Sequence, residues 1–305
     1  MEYCSCDLCG SSDHVVLWDK TDREKAGVLR SAVIRDKEGN IIQGRNVMCK
    51  RCGLVYVSPR FTKPELDRFY AEDYRKIYGG EASLESEKRH AEMAFNLMPK
   101  GSHLDIGCST GQLIKLTGGL GIEPNEQHYE MAVKLCQDAH QGTVYYGTFE
   151  DFKPVSVATM FATRYQRFDI ITMLNALEHV ISPTAVLQKI HSLLNDGGHV
   201  LISVPNLLST HINIPVDAFL SNAHLYNFTA ATLGIMMSKC GLLLEKVWLI
   251  SEEMGQKIYM LAQKGEPVEV EFDDNIEKRI EFTKMFLEYV DRVFVMKQIL
   301  NGGLK

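Results

Sequence analysis

Residues 102–111, Ser-His-Leu-Asp-Ile-Gly-Cys-Ser-Thr-Gly, constrain the fold of this 305-residue chain more than any other stretch. A short apolar segment ends in an acid, Asp105, and runs straight into a loop turned by Gly107 and Gly111. A second strand-like segment ends in a carboxylate at Gly121-Ile122-Glu123-Pro124. Two strands ending in polar chemistry predict an open α/β sheet, because ligands sit beyond the carboxyl ends of parallel strands and glycine lets backbone approach them closely. The loop also argues against two phosphate binders. A Walker loop needs Gly-Lys-Ser/Thr where this chain has Gly111-Gln112, and a dinucleotide fingerprint reads G-x-G-x-x-G where this one reads Asp-x-Gly-x-x-x-Gly. An acid inside the turn repels a pyrophosphate and suits a ligand that carries a cation.

The pattern continues in order. Thr143–Tyr146 reads as a strand and is followed by Gly147-Thr148-Phe149-Glu150-Asp151; Phe168–Leu174 reads as a fully buried strand and leads into Asn175-Ala176-Leu177-Glu178-His179-Val180. Leu194-Asn195-Asp196-Gly197-Gly198-His199 then gives a helix end, a turn and a fifth strand reaching Val204. Five ordered matches resemble the class I S-adenosylmethionine-dependent methyltransferases. The resemblance implies an α/β fold with a Rossmann-like seven-stranded sheet, completed by antiparallel strands near 243–250 and 258–263. It also implies S-adenosylmethionine as cofactor. By the same resemblance Asp105, Gly107, Cys108 and Gly111 form the first binding loop, with Cys108 acting through backbone rather than sulfur. Glu123 accepts the ribose hydroxyls, Thr148 and Phe149 flank adenine, and Asn175 and Glu178 border the cofactor after strand four. Three departures qualify the match: the short span from Asp105 to Glu123 requires a short first helix; Ser109 replaces a common glycine, which is tolerable if that residue keeps negative φ; Thr148 replaces a common acid.

The amino end carries Cys6-Asp7-Leu8-Cys9-Gly10 and Cys49-Lys50-Arg51-Cys52-Gly53, two copies of Cys-x-x-Cys-Gly. Each pair presents two thiolates to one ion, and four cysteines suit tetrahedral Zn²⁺. Val33–Ile42 between them offers a hairpin around Glu-Gly-Asn, so the segment reads as a zinc ribbon with Cys6, Cys9, Cys49 and Cys52 as ligands and Cys4 and His14 as substitutes. Disulfides need an oxidising compartment, and Met-Glu-Tyr-Cys-Ser-Cys offers no charged and apolar leader, so a cytoplasmic protein is expected. Cys136 and Cys240 read as packing residues.

A methyl transfer to an alcohol, phenol or carbon acid needs a base whose pKa lies near the working pH. His179, just after strand four, is the first candidate, with Glu178 orienting its ring; the structural alternative is a hydrogen-bond network supporting the loop. Relatives in quinone biosynthesis use Glu-x-x-Glu-His to hold a divalent metal, but Asn175 takes the first acidic place here, which disfavours a catalytic metal. The stretch Asp217–Thr229 supplies His224 and Tyr226, which share a side-chain direction if extended and are the other catalytic candidates. The alternative roles are a hydrogen bond to a backbone carbonyl for His224 and core closure for Tyr226. His211 is a weaker candidate.

The chain divides into a zinc-binding ribbon at 1–60, a helical linker and cofactor cover at 61–99, a methyltransferase domain at 100–265 and a helical tail at 266–305. Lys153–Gln166 has no clean period and reads as a longer loop bordering the adenine side. In the tail, Ile276, Ile280, Phe282, Met285, Phe286, Tyr289, Val290 and Val293 suggest an amphipathic helix of mixed charge, suited to its own domain or to a homodimer contact rather than a membrane. A net charge of −6 argues against a broad nucleic-acid surface, and no apolar run reaches a membrane span. Cys52-Gly53-Leu54-Val55-Tyr56-Val57-Ser58-Pro59-Arg60 is similar to the end of the zinc module in bacterial methyltransferases of sugars and other small metabolites. The expected activity is methyl transfer to oxygen or carbon of a small polar acceptor, such as a sugar or nucleotide sugar. The alternatives are an RNA methyltransferase whose zinc ribbon holds RNA and a non-catalytic S-adenosylmethionine-binding protein.

Overall fold

The structure, a computed structural model, describes residues 1–31, 33–72, 84–153, 167–208, 214–221, 223–252, 255–272 and 275–301. Most of the 153–166 loop and His211 lie outside these residues. Three strands, β1 (His14–Asp19), β4 (Arg45–Cys49) and β5 (Val55–Val57), form the amino-terminal sheet, with α1 (Lys20–Lys25) after the first. The expected hairpin is present as β2 (Ile34–Arg35) and β3 (Ile41–Ile42), paired antiparallel. Two helices follow, α2 (Lys63–Glu72) and α3 (Leu84–Leu97); Glu65 closes the start of α2 by accepting from the Thr62 backbone and hydroxyl.

The main sheet contains β6 (His103–Ile106), β7 (Leu120–Glu123), β8 (Thr143–Tyr146), β9 (Phe168–Leu174) and β10 (Leu194–Pro205), joined by α4 (Gln112–Thr117), α5 (Glu126–Ala139) and α6 (Pro183–Leu193). After α7 (Val216–Phe219), β11 (Tyr226–Asn227) and α8 (Ala230–Lys239) come the antiparallel strands β12 (Leu242–Glu252) and β13 (Gly255–Lys264), then the long helix α9 (Ile276–Leu300). The spatial order is β12-β13-β10-β9-β6-β7-β8, seven strands with β13 inserted antiparallel beside β10. This is the expected doubly wound, Rossmann-like sheet.

Local sequence explains the elements that matter to the crevice. Phe168-Asp-Ile-Ile-Thr-Met-Leu is a nearly continuous apolar run because β9 is central and covered on both faces. Six residues suffice for α4, since Gly118 adopts φ +70° and ends it, which accounts for the short distance from Asp105 to Glu123. Asn125 caps α5, Ser182 caps α6 with Pro183 in its first turn, and Thr229 caps α8 through a box with Thr232.

The amino-terminal sheet does not close on itself. Its fourth strand is β11, from the far half of the chain, pairing Tyr226 with Tyr56 and Asn227 with Val55. Val57 also donates to the Leu225 carbonyl at 2.9 Å. One core runs without a break from Cys6, Leu54 and Tyr56 to Ile106, Ile171, Val204 and Met236. On the other side Leu287 and Val290 of α9 pack on Leu17, Trp18, Met48 and Val55. Residues 1–60 are thus built into the rest of the molecule rather than appended to it.

Candidate active site

Strand order reverses between β6 and β9, so the ends of β6, β7 and β9 border the crevice where open α/β sheets bind ligands. Asp105, 4% exposed, accepts the Thr172 hydroxyl at 2.5 Å across the paired strands. Thr172 is 2.8 Å from His103 Nε2, and His103 Nδ1 is 2.9 Å from the Thr117 hydroxyl. With Asp105 as a carboxylate, Thr172 spends its one proton on Asp105, so His103 donates from Nε2 and accepts from Thr117. Burial pushes His103 down to about 3, which keeps the ring neutral, and pushes Asp105 up to about 7 against the opposing Thr172 bond.

The binding loop turns on Gly107 (φ +73°) and Gly111 (φ +80°); a Cβ at Gly111 would meet Ala132 of α5 at 3.0 Å. Ser109 does not meet the condition of a negative φ and has φ +47°. That conformation is stabilised by three contacts: the Ser109 N–H donates to Glu123 Oε2 at 2.9 Å, its hydroxyl donates to Glu87 Oε1 at 3.3 Å, and the Thr110 hydroxyl donates to Glu87 Oε2. Glu87 on α3 therefore clasps the loop, a role nothing in its helical context announced. Glu123 is 6% exposed and also accepts the Asn125 N–H at 2.8 Å through Oε1. Each carboxylate oxygen is thus oriented by one backbone donor with acceptor capacity left over. Burial raises Glu123 to about 7, although those backbone donors pull the other way. Cys108 is buried among Ile114, Ala132 and Cys136, and burial pushes its thiol well up.

Beyond β8 the Thr148 hydroxyl donates to Asp151 at 2.7 Å. Phe149, expected beside adenine, is 4% exposed and its ring packs against Phe152 in the core. The Phe149 ring is therefore not presented to flank a base; among the described residues the turn offers its backbone and the half-buried Thr148. Lys189 of α6 holds it in place, donating to the carbonyls of Phe149, Glu150 and Phe152 at 2.6, 3.0 and 2.8 Å.

After β9 the chain turns through Asn175 at φ +52°. Asn175 Oδ1 and Glu178 Oε2 are both buried and have no hydrogen-bond partner among the described residues. Burial raises the Glu178 carboxyl. His179 Nδ1 lies 3.0 Å from the Ala223 carbonyl, so that nitrogen carries the proton and Nε2 is the basic atom of the neutral ring. Its Nε2 is 3.9 Å from Glu178 Oε1, and the ring meets His224 edge-on at 4.9 Å. Ligand atoms of Glu178, His179 and His224 lie within 4.8 Å of one another. Burial drives His224 well below the usual imidazole range, helped by His179 and by Lys20, a fully buried lysine from α1 that burial itself lowers to about 7. Tyr226 does not join this group as an acid or base. Its hydroxyl accepts from Arg60 at 2.7 Å and donates to the Ile181 carbonyl at 2.9 Å, and burial pushes the phenol up. It pins the amino-terminal segment to the loop after β9.

The four cysteines Cys6, Cys9, Cys49 and Cys52 meet with all sulfurs within 4.8 Å; Cys6 and Cys52 are 3.4 Å apart, Cys9 and Cys49 3.5 Å. Gly10 (φ +74°) and Gly53 (φ +78°) turn the two knuckles. Cys4 points to the Val57 carbonyl and His14 to Tyr56, apart from the cluster. Asp7, between two of the cysteines, accepts from the Ser182 hydroxyl and the Thr184 N–H, both at 2.7 Å. The first knuckle therefore grips the start of α6, three residues beyond His179.

A family profile described as a methyltransferase domain matches residues 74–247. The ubiquinone biosynthesis O-methyltransferase of Xanthomonas axonopodis pv. citri is 30% identical over 154 residues, 49% of this chain and 64% of that protein. The enzyme of the same name from Paraburkholderia phytofirmans is 27% identical over 103 residues, 34% of this chain and 44% of that protein. The matches thus span less than two thirds of these relatives' length. Among solved structures, magnesium protoporphyrin IX methyltransferase from Synechocystis PCC 6803 with bound SAH is 14% identical with a TM-score of 0.48, covering 67% of this chain and 100% of that one. A SAM-dependent methyltransferase from Thermotoga maritima is 20% identical with a TM-score of 0.45, covering 65% and 97%.

Proposed function

The chain belongs to the methyltransferase-domain family, and on that premise we propose that it moves the methyl group of S-adenosylmethionine to an oxygen or carbon of a small polar acceptor. The observation that carries the reading is the crevice at the strand reversal. There Glu123 is oriented by two backbone donors, and the oxygens of Asn175 and Glu178 lie buried without partners among the described residues. Buried acceptors of this kind are costly unless a ligand donor satisfies them. A nucleoside with a vicinal diol, an ammonium and an exocyclic amine supplies such donors and no phosphate, which suits a site lined with acids. In this reading Glu123 accepts the ribose hydroxyls, the Gly107–Gly111 backbone holds the amino-acid portion, Asp105 faces its ammonium, and the backbone at Thr148–Phe149 flanks adenine.

S-adenosylmethionine, when bound, supplies an electrophilic methyl. The protein then has to align the acceptor, exclude water and take up a proton, and alignment alone can contribute about 7 to 11 kcal/mol. His179 is the base: its Nδ1 proton is committed to the Ala223 carbonyl, leaving Nε2 to receive the acceptor's proton, and Glu178 at 3.9 Å steadies the imidazolium that results. His224 stays neutral beside it and serves as a hydrogen-bonding wall. The O-methyltransferase names of the relatives favour oxygen as the atom methylated; a sugar or nucleotide-sugar acceptor is supported by the likeness of Cys52–Arg60 to sugar-modifying enzymes.

The cysteine cluster fits Zn²⁺. Tetrahedral Zn–S bonds near 2.3 Å require sulfurs about 3.8 Å apart, inside the range seen here, and four thiols with no open position make a structural site. Titration of purified protein with S-adenosylmethionine and S-adenosylhomocysteine, with zinc assayed on the same sample, tests the reading. Micromolar binding and about one zinc per chain are expected; folded protein that binds neither nucleoside would overturn it.

A further inference from the structure

We infer that α9 pairs antiparallel with α9 of a second copy of this chain through a stripe on its outer face. Over its 25 residues the helix carries two apolar stripes on opposite sides. The inner one, Thr283, Leu287, Val290 and Phe294, is buried against the chain's own body. The outer one runs Phe282, Met285, Tyr289, Arg292, Met296 and Ile299, spaced alternately three and four residues apart. That is the a/d repeat of a two-stranded coiled coil. Its apolar members are 51% to 64% exposed, with Phe282 stacked on Phe286 one turn along the same helix.

The helix cannot turn this stripe inward. Asp291, on the inner side, accepts from Arg23 at 3.0 Å and lies 3.8 Å from Arg30, and Arg23 also holds the fully buried Asp217 at 2.7 Å. The outer stripe is therefore presented at a fixed angle, over a length of about 27 Å at 1.5 Å per residue.

Its one polar member identifies the partner and the direction. A parallel pairing would set Arg292 against Arg292 of the second copy. An antiparallel pairing about a two-fold axis near residues 290 and 291 sets Phe282 against Ile299, Met285 against Met296 and Tyr289 against Arg292. Each layer forms twice, as an isologous contact requires. The guanidinium then lies on the Tyr289 ring, beside Glu288 of the second copy, the residue that Arg292 already approaches at 3.9 Å within its own helix. The stripe is complementary to itself, which neither a lipid surface nor an unrelated helix would require.

Sedimentation of the full chain at micromolar concentration tests this. A dimer is expected, with Met285→Glu raising its dissociation constant at least tenfold while near-native circular dichroism and cofactor affinity persist. The charge exchange tests the layer itself: Arg292→Glu weakens the dimer, and Glu288→Arg in the same chain restores part of the loss. For direction, Met285→Cys with Met296→Cys should give crosslinked dimers under oxidant, whereas Met285→Cys alone should not. A wild-type monomer, including one that instead sediments with anionic vesicles, a dimer indifferent to Met285→Glu, or crosslinking by Met285→Cys alone would each overturn the pairing.

Discussion

Glu123 and Asp105 show how burial at one residue sets the pH behaviour of a site. Both carboxyls are raised to about 7 by burial from ordinary values of 4.5 and 3.8. The cofactor-free fold therefore binds these protons more tightly than the unfolded chain does. Stability from this source is present at low pH and is lost as pH rises from about 4 to about 7, at about 1.4 kcal/mol per pH unit per group. Cofactor binding should run the opposite way, because a ribose diol and an ammonium need carboxylates. We expect affinity for S-adenosylhomocysteine to rise between pH 6 and pH 8 by about tenfold for each carboxyl, about a hundredfold together, and binding to release protons, read by calorimetry in buffers of differing ionisation enthalpy. Affinity independent of pH with no proton release would refute the assignment. Glu123→Ala should cost about 1.5 to 3 kcal/mol of cofactor binding, the loss of a charged acceptor. His179→Ala should instead lower kcat by about 10² to 10⁴ with cofactor affinity unchanged, as for a general base; equal losses in melting temperature and activity would make His179 a structural residue.

At the level of elements, what was legible in the sequence was whatever is encoded locally. The apolar run of β9, the short span from Asp105 to Glu123 that required a short α4 and the paired Cys-x-x-Cys-Gly knuckles are all patterns within a few residues, and the resemblance ordered them into a sheet. Pairings between distant segments were not legible. Nothing near Tyr226 says that its two-residue strand completes the sheet of β1, β4 and β5, nothing near Asp7 says that it grips α6, and the left-handed Ser109 depends on Glu87 from a helix 22 residues earlier. These contacts make a prediction that the separate-module picture does not. Asp7 meets the backbone and Ser182 hydroxyl at the start of α6, just after His179, so Asp7→Ala should remove a cap contact of about 1 kcal/mol and loosen the loop that holds the base. The expected signature is a several-fold fall in kcat with zinc content and cofactor affinity retained. A variant with unchanged kcat would show that the grip on α6 has no bearing on His179.

On the scale of the whole molecule, the amino-terminal segment and the sheet domain share a strand, a core and a buried charge cluster, so they should unfold as one. Asp217 is fully buried in α7 and accepts from Trp18 Nε1 at 2.9 Å, Arg23 Nε at 2.7 Å and the Arg30 N–H at 2.9 Å, all from the amino-terminal segment. Removing that carboxylate strands Arg23, whose other anion is Asp291 on α9. Breaking one partner of a buried pair costs about 3 to 5 kcal/mol, and in a single unit of this size each kcal/mol lowers Tm by about 1.5 °C. The two tryptophans make the cooperativity measurable, because Trp18 reports on the amino-terminal sheet once Trp248 is replaced by Phe. In the Trp248→Phe background, Trp18 fluorescence and far-ultraviolet circular dichroism should melt together. Asp217→Ala should lower both midpoints equally, and so should a zinc chelator or Cys49→Ser if the cluster holds zinc. Zinc loss would then reduce cofactor affinity as well, through the shared core that joins Cys52 and Tyr56 to Ile106 and Ile171. Two separated transitions, with the sheet domain and its cofactor affinity surviving the first, would mean that the strand contributed by β11 does not couple the halves.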